Sequence, residues 1–411
     1  MNRSALGIRR PGNWKVALGG VLACILIAGL VLGPRLLRLY RVVHLFDEDV
    51  IVQNFLHMED VFPVTTIAAS SEPFRFPQGA TITLPAQLAI NGDTVDTQVH
   101  FDHTKVTGLL VIKDGQIVFE EYYRGHSEDG YHMSWSVAKS FVSALVGIAF
   151  AEGALDSIDD PVTKYVPQLQ GSGYAGVRIK DILQMSSGVR FNEDYSDFSS
   201  DVNRLRRILA WGGSLDELAE SLEVEVPPGT RHHYVSIDTQ VLGMLLVRIT
   251  GTSLSQYLEE KLWHPLGMEY PATFIVDDDG MELALGGLSA SLRDYAKLGY
   301  LYLNEGRWGD EQVVPRQWVL DSVTPDAPHL LPGKDNPQSN TAWGYGYQWW
   351  IPLNPDGEYM AVGFGNQFIY VYPKEHLVIV KNTANHHYSS DIGYYHGMDV
   401  ALFREIASGL R

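Results

Sequence analysis

The sequence predicts an α+β fold: an antiparallel sheet flanked by helices, a mostly helical second lobe, and an N-terminal transmembrane helix. Three observations carry this. Strand patterns with hairpin turns occur at both ends of the body. Helical patterns dominate the stretch between them. An apolar run without a single charge precedes both. Hairpins favour antiparallel pairing, and helices at the chain ends are placed to cover such a sheet.

The apolar run is residues 16–33, VALGGVLACILIAGLVLG. Its length matches a hydrocarbon core, and basic residues flank both ends. A cleaved signal peptide would need a small-x-small site, and VLGPRLLRL offers none that fits. A lipoprotein signal would use Cys24, but the run before it is short and the run after it is greasy. An uncleaved anchor is therefore favoured. Residues 1–15 would form a short cytoplasmic segment. The charge bias across the run favours that orientation only slightly, four basic residues against three. The body would then lie on the outer side of the cytoplasmic membrane, held by a single pass.

Seven of the 31 Lys and Arg residues lie before residue 45, where there is no Asp or Glu. The rest of the chain carries 24 basic against 49 acidic residues, a net charge of -25. Such a body repels polyanions, so nucleic acid is an unfavourable partner. Cys24 is the one cysteine of the chain, so the body has neither disulfide nor thiol nucleophile.

Residues 34–89 show no strong periodicity and read as a linker that wraps onto a domain spanning 90–411. Within that domain GLLVIKDGQIVFEEYY is a hairpin around Asp114-Gly115, a pair that tolerates positive φ. The apolar stretch from Tyr131 to Gly153 predicts a buried helix. VRIKDILQMSSGV predicts a short helix stopping at the Ser-Gly pair. LSQYLEEKLWHPLG and SLRDYAKLGYLYLNEG continue the helical middle. Strands return with GYGYQWWIP and YMAVGFG, then NQFIYVYP and HLVIVKN around a Lys-Glu turn. A helix over about 391–408 closes the chain.

Three segments could carry chemistry. Ser136-Val137-Ala138-Lys139 is the only Ser-x-x-Lys in the sequence. On a helix i and i+3 share a face, so hydroxyl and amine can meet. Serine needs a base to become a nucleophile, and a lysine surrounded by apolar residues can serve because burial disfavours its ammonium form. A serine at a helix start also lies beside free N–H groups suited to an oxyanion. The bland reading is a capping serine and a lysine reaching for solvent. The second segment is Tyr234-Val235-Ser236, just before an apolar helix, where a tyrosine could act as acid or base. Tyr388-Ser389-Ser390 has the same pattern, and only order and context prefer Tyr234. In the third, YMAVGFGNQ, Gly363 and Gly365 let backbone approach closely, and an N–H there could complete an oxyanion hole.

Together and in this order the three segments resemble the serine β-lactamase/penicillin-binding-protein superfamily. DDPVTKYVPQL, IKDILQMSSGV, GGLSASLRDYAKLGYLYLNEG and YGYQWW match it too, so the resemblance spans roughly residues 90–385. It is most similar to the class C-like branch, and within it to 6-aminohexanoate-dimer hydrolase-like and esterase-like serine hydrolases. The resemblance implies a β-lactamase-like fold and no metal or cofactor. It implies Ser136 as the acylated nucleophile, Lys139 as its base, and Tyr234 as a proton shuttle to the leaving group. The backbone N–H groups of Ser136 and Phe364 would form the oxyanion hole. Ser236, Tyr195 and Gly363 would contact substrate. The family's Lys-Thr-Gly falls at Ala361-Val362-Gly363, so the cation that would hold a β-lactam or peptide carboxylate is absent. Asn366 stands where many relatives have Gly.

The expected function is a membrane-anchored serine hydrolase cleaving a small ester or a linear amide. A cell-wall D-amino peptidase or β-lactamase is the alternative within enzymes. A catalytically inactive scaffold is the alternative of another class, against which the intact Ser136, Lys139 and Tyr234 argue. The histidines of HFDHT (His100, His103), His232-His233 and His386-His387 match no zinc-helix spacing and are expected to play polar or packing roles, with His233 placed to line a cleft. The pair Trp349-Trp350 is expected in the core.

Overall fold

The computed structural model describes residues 14–90 and 93–410. Its centre is a seven-stranded antiparallel sheet. The strands are β1 (Val106–Lys113), β2 (Gln116–Tyr122), β3 (Gly344–Tyr345), β4 (Trp350–Ile351), β5 (Tyr359–Gly363), β6 (Gln367–Tyr372) and β7 (Leu377–Thr383). Their spatial order is β3-β4-β5-β6-β7-β1-β2, so the early hairpin and the late strands meet where Leu377 pairs with Lys113. The hairpin turn is the expected one, with Asp114 at φ 50° and Gly115 at φ 74°, the signs a type I′ turn requires.

The period-2 pattern decides what covers each face. Leu110 and Ile112 of β1 join a core with Leu292, Tyr295 and Leu298 of the helix α5 (Leu292–Leu303). Leu109 and Val111 point the other way, into a core with Met398, Leu402 and Phe403 of the C-terminal helix α6 (Ile392–Gly409). Each such side chain contributes on the order of 1.5–3 kcal/mol when fully buried. The expected arrangement of a sheet with helices on its faces holds.

The second lobe is mostly helical. Its main helices are α2 (Ala138–Ala151), α3 (Asp201–Trp211) and α4 (Ser236–Thr250). Helix α2 is buried on every side from Ala138 to Ala149, because its sequence is apolar all round.

The segment 34–89 does more than link. Val64–Ile67 pairs with Ala272–Ile275 in a second, four-stranded sheet that also contains Leu288–Ala290 and His132–Met133. Ile51 and Phe55 are fully buried in the main core.

The N-terminal helix α1 runs from Trp14 to Val43 with Pro34 inside it. The expected cytoplasmic segment 1–15 falls almost wholly outside the described residues. So do most side chains of the expected span 16–33. Among the described residues, no helix is long and apolar enough to cross a membrane. The C-terminal end of α1 packs on α3: Arg38 Nε donates to the carbonyl of Ala210 at 3.1 Å, and its Nη2 pairs with Asp278 at 3.1 Å.

Candidate active site

Ser136 sits on a short 3₁₀ turn, Trp135–Val137, that runs directly into α2. Trp135 just before it has φ 47°, a left-handed conformation that a bulky residue rarely adopts. Strain of this kind is typical of reactive loops, and here it lies immediately before Ser136. Ser136 is half-buried and lines a cavity of about 1070 Å³.

Lys139, one turn further on, is 1% exposed. Its Nζ donates to the carbonyl of Leu285 and lies 5.5 Å from the centre of the Tyr234 ring. No carboxylate forms an ion pair with it among the described residues. Burial pulls its pKa down to about 7, while the charges of Glu193 and Asp238 hold it up. A substantial neutral fraction is therefore present near neutral pH, which is what a base must have.

Tyr234 lies at the entry to α4, its ring stacked on Trp350 at 5.4 Å and 22°. Burial pushes its pKa well above the ordinary value; Tyr345 and Glu193 add to this, and a hydrogen bond with Ser136 works against it. The hydroxyl is thus neutral in the resting site. The structure thus places a neutral tyrosine beside a lysine whose pKa is lowered to about 7. The alternative Tyr388 also lines the cavity, packed on Phe364 at 4.7 Å, but Tyr234 is the one whose pKa Ser136 lowers and whose ring lies 5.5 Å from Lys139 Nζ.

Strand β5 brings up the other wall. A Cβ on Gly363 would lie 2.2 Å from the carbonyl oxygen of Ser134, so only glycine lets the strand reach the Ser136 turn. The β5–β6 ladder ends at the pair Gly363 and Gln367. Phe364 therefore heads the turn, outside the ladder, and lines the cavity together with Ser136. Both expected oxyanion donors belong to this meeting point. Ala361 is buried in the core on the far side of its strand from the lining residue Val362, and brings no cation.

Tyr195 lines the cavity and packs on Phe364 at 5.0 Å. Ser236 is buried and absent from the wall. Its hydroxyl donates to Glu193 Oε1 at 2.6 Å and its N–H to Oε2 at 3.1 Å. Tyr195 OH also donates to Glu193, at 2.8 Å. So Glu193 lines the cavity, and Ser236 holds it. The residue reading of the sequence missed Glu193. Its signal was present in FNEDYSD, but nothing local says that the loop returns to Ser236, 43 residues later.

His233 lies outside the main cavity, tied to the carbonyl of Phe191 and to Asn340, both at 3.0 Å. Trp349 is core, as expected, whereas Trp350 lines the cavity. Phe46, from the chain following α1, packs on Phe364 at 5.0 Å and on Trp135 at 5.7 Å, and Arg206 of α3 stacks on it at 4.3 Å.

A serine on a strained turn, a buried low-pKa lysine and a neutral tyrosine sit together, and the beta-lactamase family model matches residues 96–395. This chain belongs to the beta-lactamase family. Its relatives include the 6-aminohexanoate-dimer hydrolase of Paenarthrobacter ureafaciens, 28% identical over 337 residues, which cover 79% of this chain and 85% of the relative. The fold matches that of a Bacillus anthracis protein assigned as a 6-aminohexanoate-dimer hydrolase, with TM-score 0.80 and 24% identity over 89% of this chain and 96% of the other. A class C beta-lactamase superposes more distantly, with TM-score 0.55 and 18% identity over 76% and 94% of the two chains. This beta-lactamase-family chain therefore has a serine-hydrolase-type fold.

Proposed function

We propose that the protein is a serine hydrolase that cleaves an ester or a linear amide through an acyl-enzyme on Ser136. The observation that carries this is the pairing of a half-exposed Ser136 with a fully buried Lys139 whose pKa is lowered to about 7. In the reaction, neutral Lys139 takes the Ser136 proton as Oγ attacks the carbonyl carbon. The N–H groups of Ser136 and Phe364 receive the oxyanion, and the Tyr234 hydroxyl relays a proton to the leaving group. Water attacks the acyl-enzyme in the reverse sense and frees Ser136.

Two features bear on substrate. Ala361 supplies no cation, and Glu193 puts a carboxylate on the cavity wall. Neutral or amine-bearing substrates are favoured over carboxylate-bearing β-lactams and peptides. The cavity also extends from Ser136 past Trp343 and Trp350 to Arg404, room for an extended chain. The name of the Paenarthrobacter relative, a dimer hydrolase, agrees with a linear amide.

The test is labelling with a fluorophosphonate and turnover of p-nitrophenyl butyrate, beside Ser136→Ala. The variant should lose both, turnover by roughly 10³-fold or more. Equal labelling and turnover in the two proteins would remove Ser136 from the role. Labelled wild-type protein that hydrolyses nitrocefin efficiently would favour the β-lactamase alternative.

Residues 16–33 act as an uncleaved anchor in this reading, supported by their length and lack of charge. Expression of the full chain should yield membrane-fraction protein with an intact N-terminus. A mature form beginning after residue 33 would refute the anchor.

A further inference from the structure

Asn366 is fully buried and has φ 70°, a conformation that glycine adopts without strain. What the asparagine adds is a side chain with both ends engaged. Its Nδ2 donates to Asp399 Oδ2 at 2.8 Å, and its Oδ1 accepts from Asn385 Nδ2 at 2.9 Å. Asp399 of α6 is itself fully buried. Its other oxygen accepts from Lys381 Nζ of β7 at 2.6 Å and lies 3.0 Å from His100 Nε2. A buried ion pair thus anchors one side of the Phe364–Gly365–Asn366 turn to the C-terminal helix and the central sheet.

The next residue holds the turn from the other side. Gln367 accepts from the Thr383 N–H at 3.0 Å, and its Nε2 donates to the carbonyls of Phe364 at 3.2 Å and Gly365 at 3.3 Å. Asn385 completes the frame: its Oδ1 accepts from the His387 N–H at 2.9 Å, which fixes the segment carrying the cavity-lining Tyr388. Buried amides and charges are costly unless each is paired, and here they converge on one three-residue turn.

We infer that Asn366 and Asp399 are positioning residues for the oxyanion hole: the Lys381–Asp399–Asn366–Asn385 network fixes the turn that presents the Phe364 N–H beside Ser136. This rests on the hydrolase reading above, with Phe364 as the second oxyanion donor. An oxyanion donor acts only when its N–H is already in place, because no energy is then spent reorganising it during the reaction. Both residues are fully buried and neither lines the cavity.

The test compares wild type with Asn366→Gly, which keeps the left-handed backbone and removes the tether, and with Asp399→Asn. Turnover of p-nitrophenyl butyrate is expressed per fluorophosphonate-reactive site, so that loss of folded protein does not count. Inhibition by phenylboronic acid, whose serine adduct is tetrahedral, reports on the oxyanion hole. For Asn366→Gly the expected result is a kcat lower by about 10-fold to 100-fold, an inhibition constant raised by a similar factor, and KM little changed. An unchanged kcat per reactive site with an unchanged inhibition constant would overturn the inference. So would a fall in kcat with no change in boronate affinity. If Asp399→Asn does not fold, Asn366→Gly decides alone. A wild-type protein that neither labels nor turns over would overturn the hydrolase reading itself; an active wild type matched by Asn366→Gly overturns this inference only.

Discussion

Lys139 shows how one residue's environment becomes chemistry. Its neighbours along the chain are apolar, and this was legible from the sequence as a buried amine. Burial lowers its pKa to about 7, so the neutral base is lost as pH falls through that value. Activity, measured as kcat/KM against pH, should therefore rise from acid to neutral with an inflection near 7. Lys139→Arg keeps the positive charge and removes the base, and should lower kcat by about 10²–10⁴-fold at every pH. Glu193 holds the Lys139 pKa up. Glu193→Gln takes that negative charge away, so the acid inflection should move to lower pH. A shift to higher pH, or none, would show that Glu193 does not face Lys139 electrostatically. Glu193 was not legible as a site residue, because its partner Ser236 is brought to it by tertiary structure alone. Asn366 was legible only as a departure from the family's glycine, not as part of a network. Its partners Asp399 and Asn385 lie 33 and 19 residues away, and no local pattern joins them.

At the scale of the element, hairpins and helices were read well where one period dominated. The β1–β2 turn at Asp114-Gly115, helix α5 and the β6–β7 pair all stand where period and turn residues put them. No comparable sign of the four-stranded sheet is present in the sequence, since its strands are two to four residues long and drawn from positions 64, 132, 272 and 288 onward. Short strands carry too few alternations to be recognised, and their pairing is long-range. The close approach of β5 to the Ser136 turn makes a sharp prediction. Gly363→Val places its side chain against the Ser134 carbonyl, where even a Cβ would be at 2.2 Å. The strand or the turn must shift, and a displacement of about 1 Å at a reacting centre costs on the order of 10²-fold. Turnover of p-nitrophenyl butyrate by Gly363→Val, normalised to folded protein by circular dichroism, checks this. Wild-type turnover would mean that β5 does not set the site.

The whole molecule ties the N-terminal chain to the cavity wall. Ile51 and Phe55 are core residues, and Phe46 stands against Phe364 and Trp135. Removing residues 1–33 should leave a folded, active body. Removing residues 1–57 should not, because it strips Ile51, Phe55 and Leu56 from the core. Phe55→Ala alone should cost about 3–5 kcal/mol of stability, read as a lower midpoint in urea denaturation. A 1–57 deletion that melts like the full chain would show that the segment contributes nothing to the core.

The sequence by itself determined the α+β class, the family, the Ser136, Lys139 and Tyr234 set and the acidic charge of the body. The class and the charge follow from local pattern and composition, whereas the family and the Ser136, Lys139 and Tyr234 set come from the resemblance carried by three segments in their order. Tertiary structure alone decided that Glu193 and not Ser236 faces the cavity, that Trp350 and not Trp349 lines it, and that a buried Asp399 reaches the Phe364–Asn366 turn. It also decided the charge states, with a low-pKa lysine beside a neutral tyrosine. The reason is the same in each case. Burial and long-range hydrogen bonds depend on which distant segments pack together, and no window of neighbouring residues contains that information.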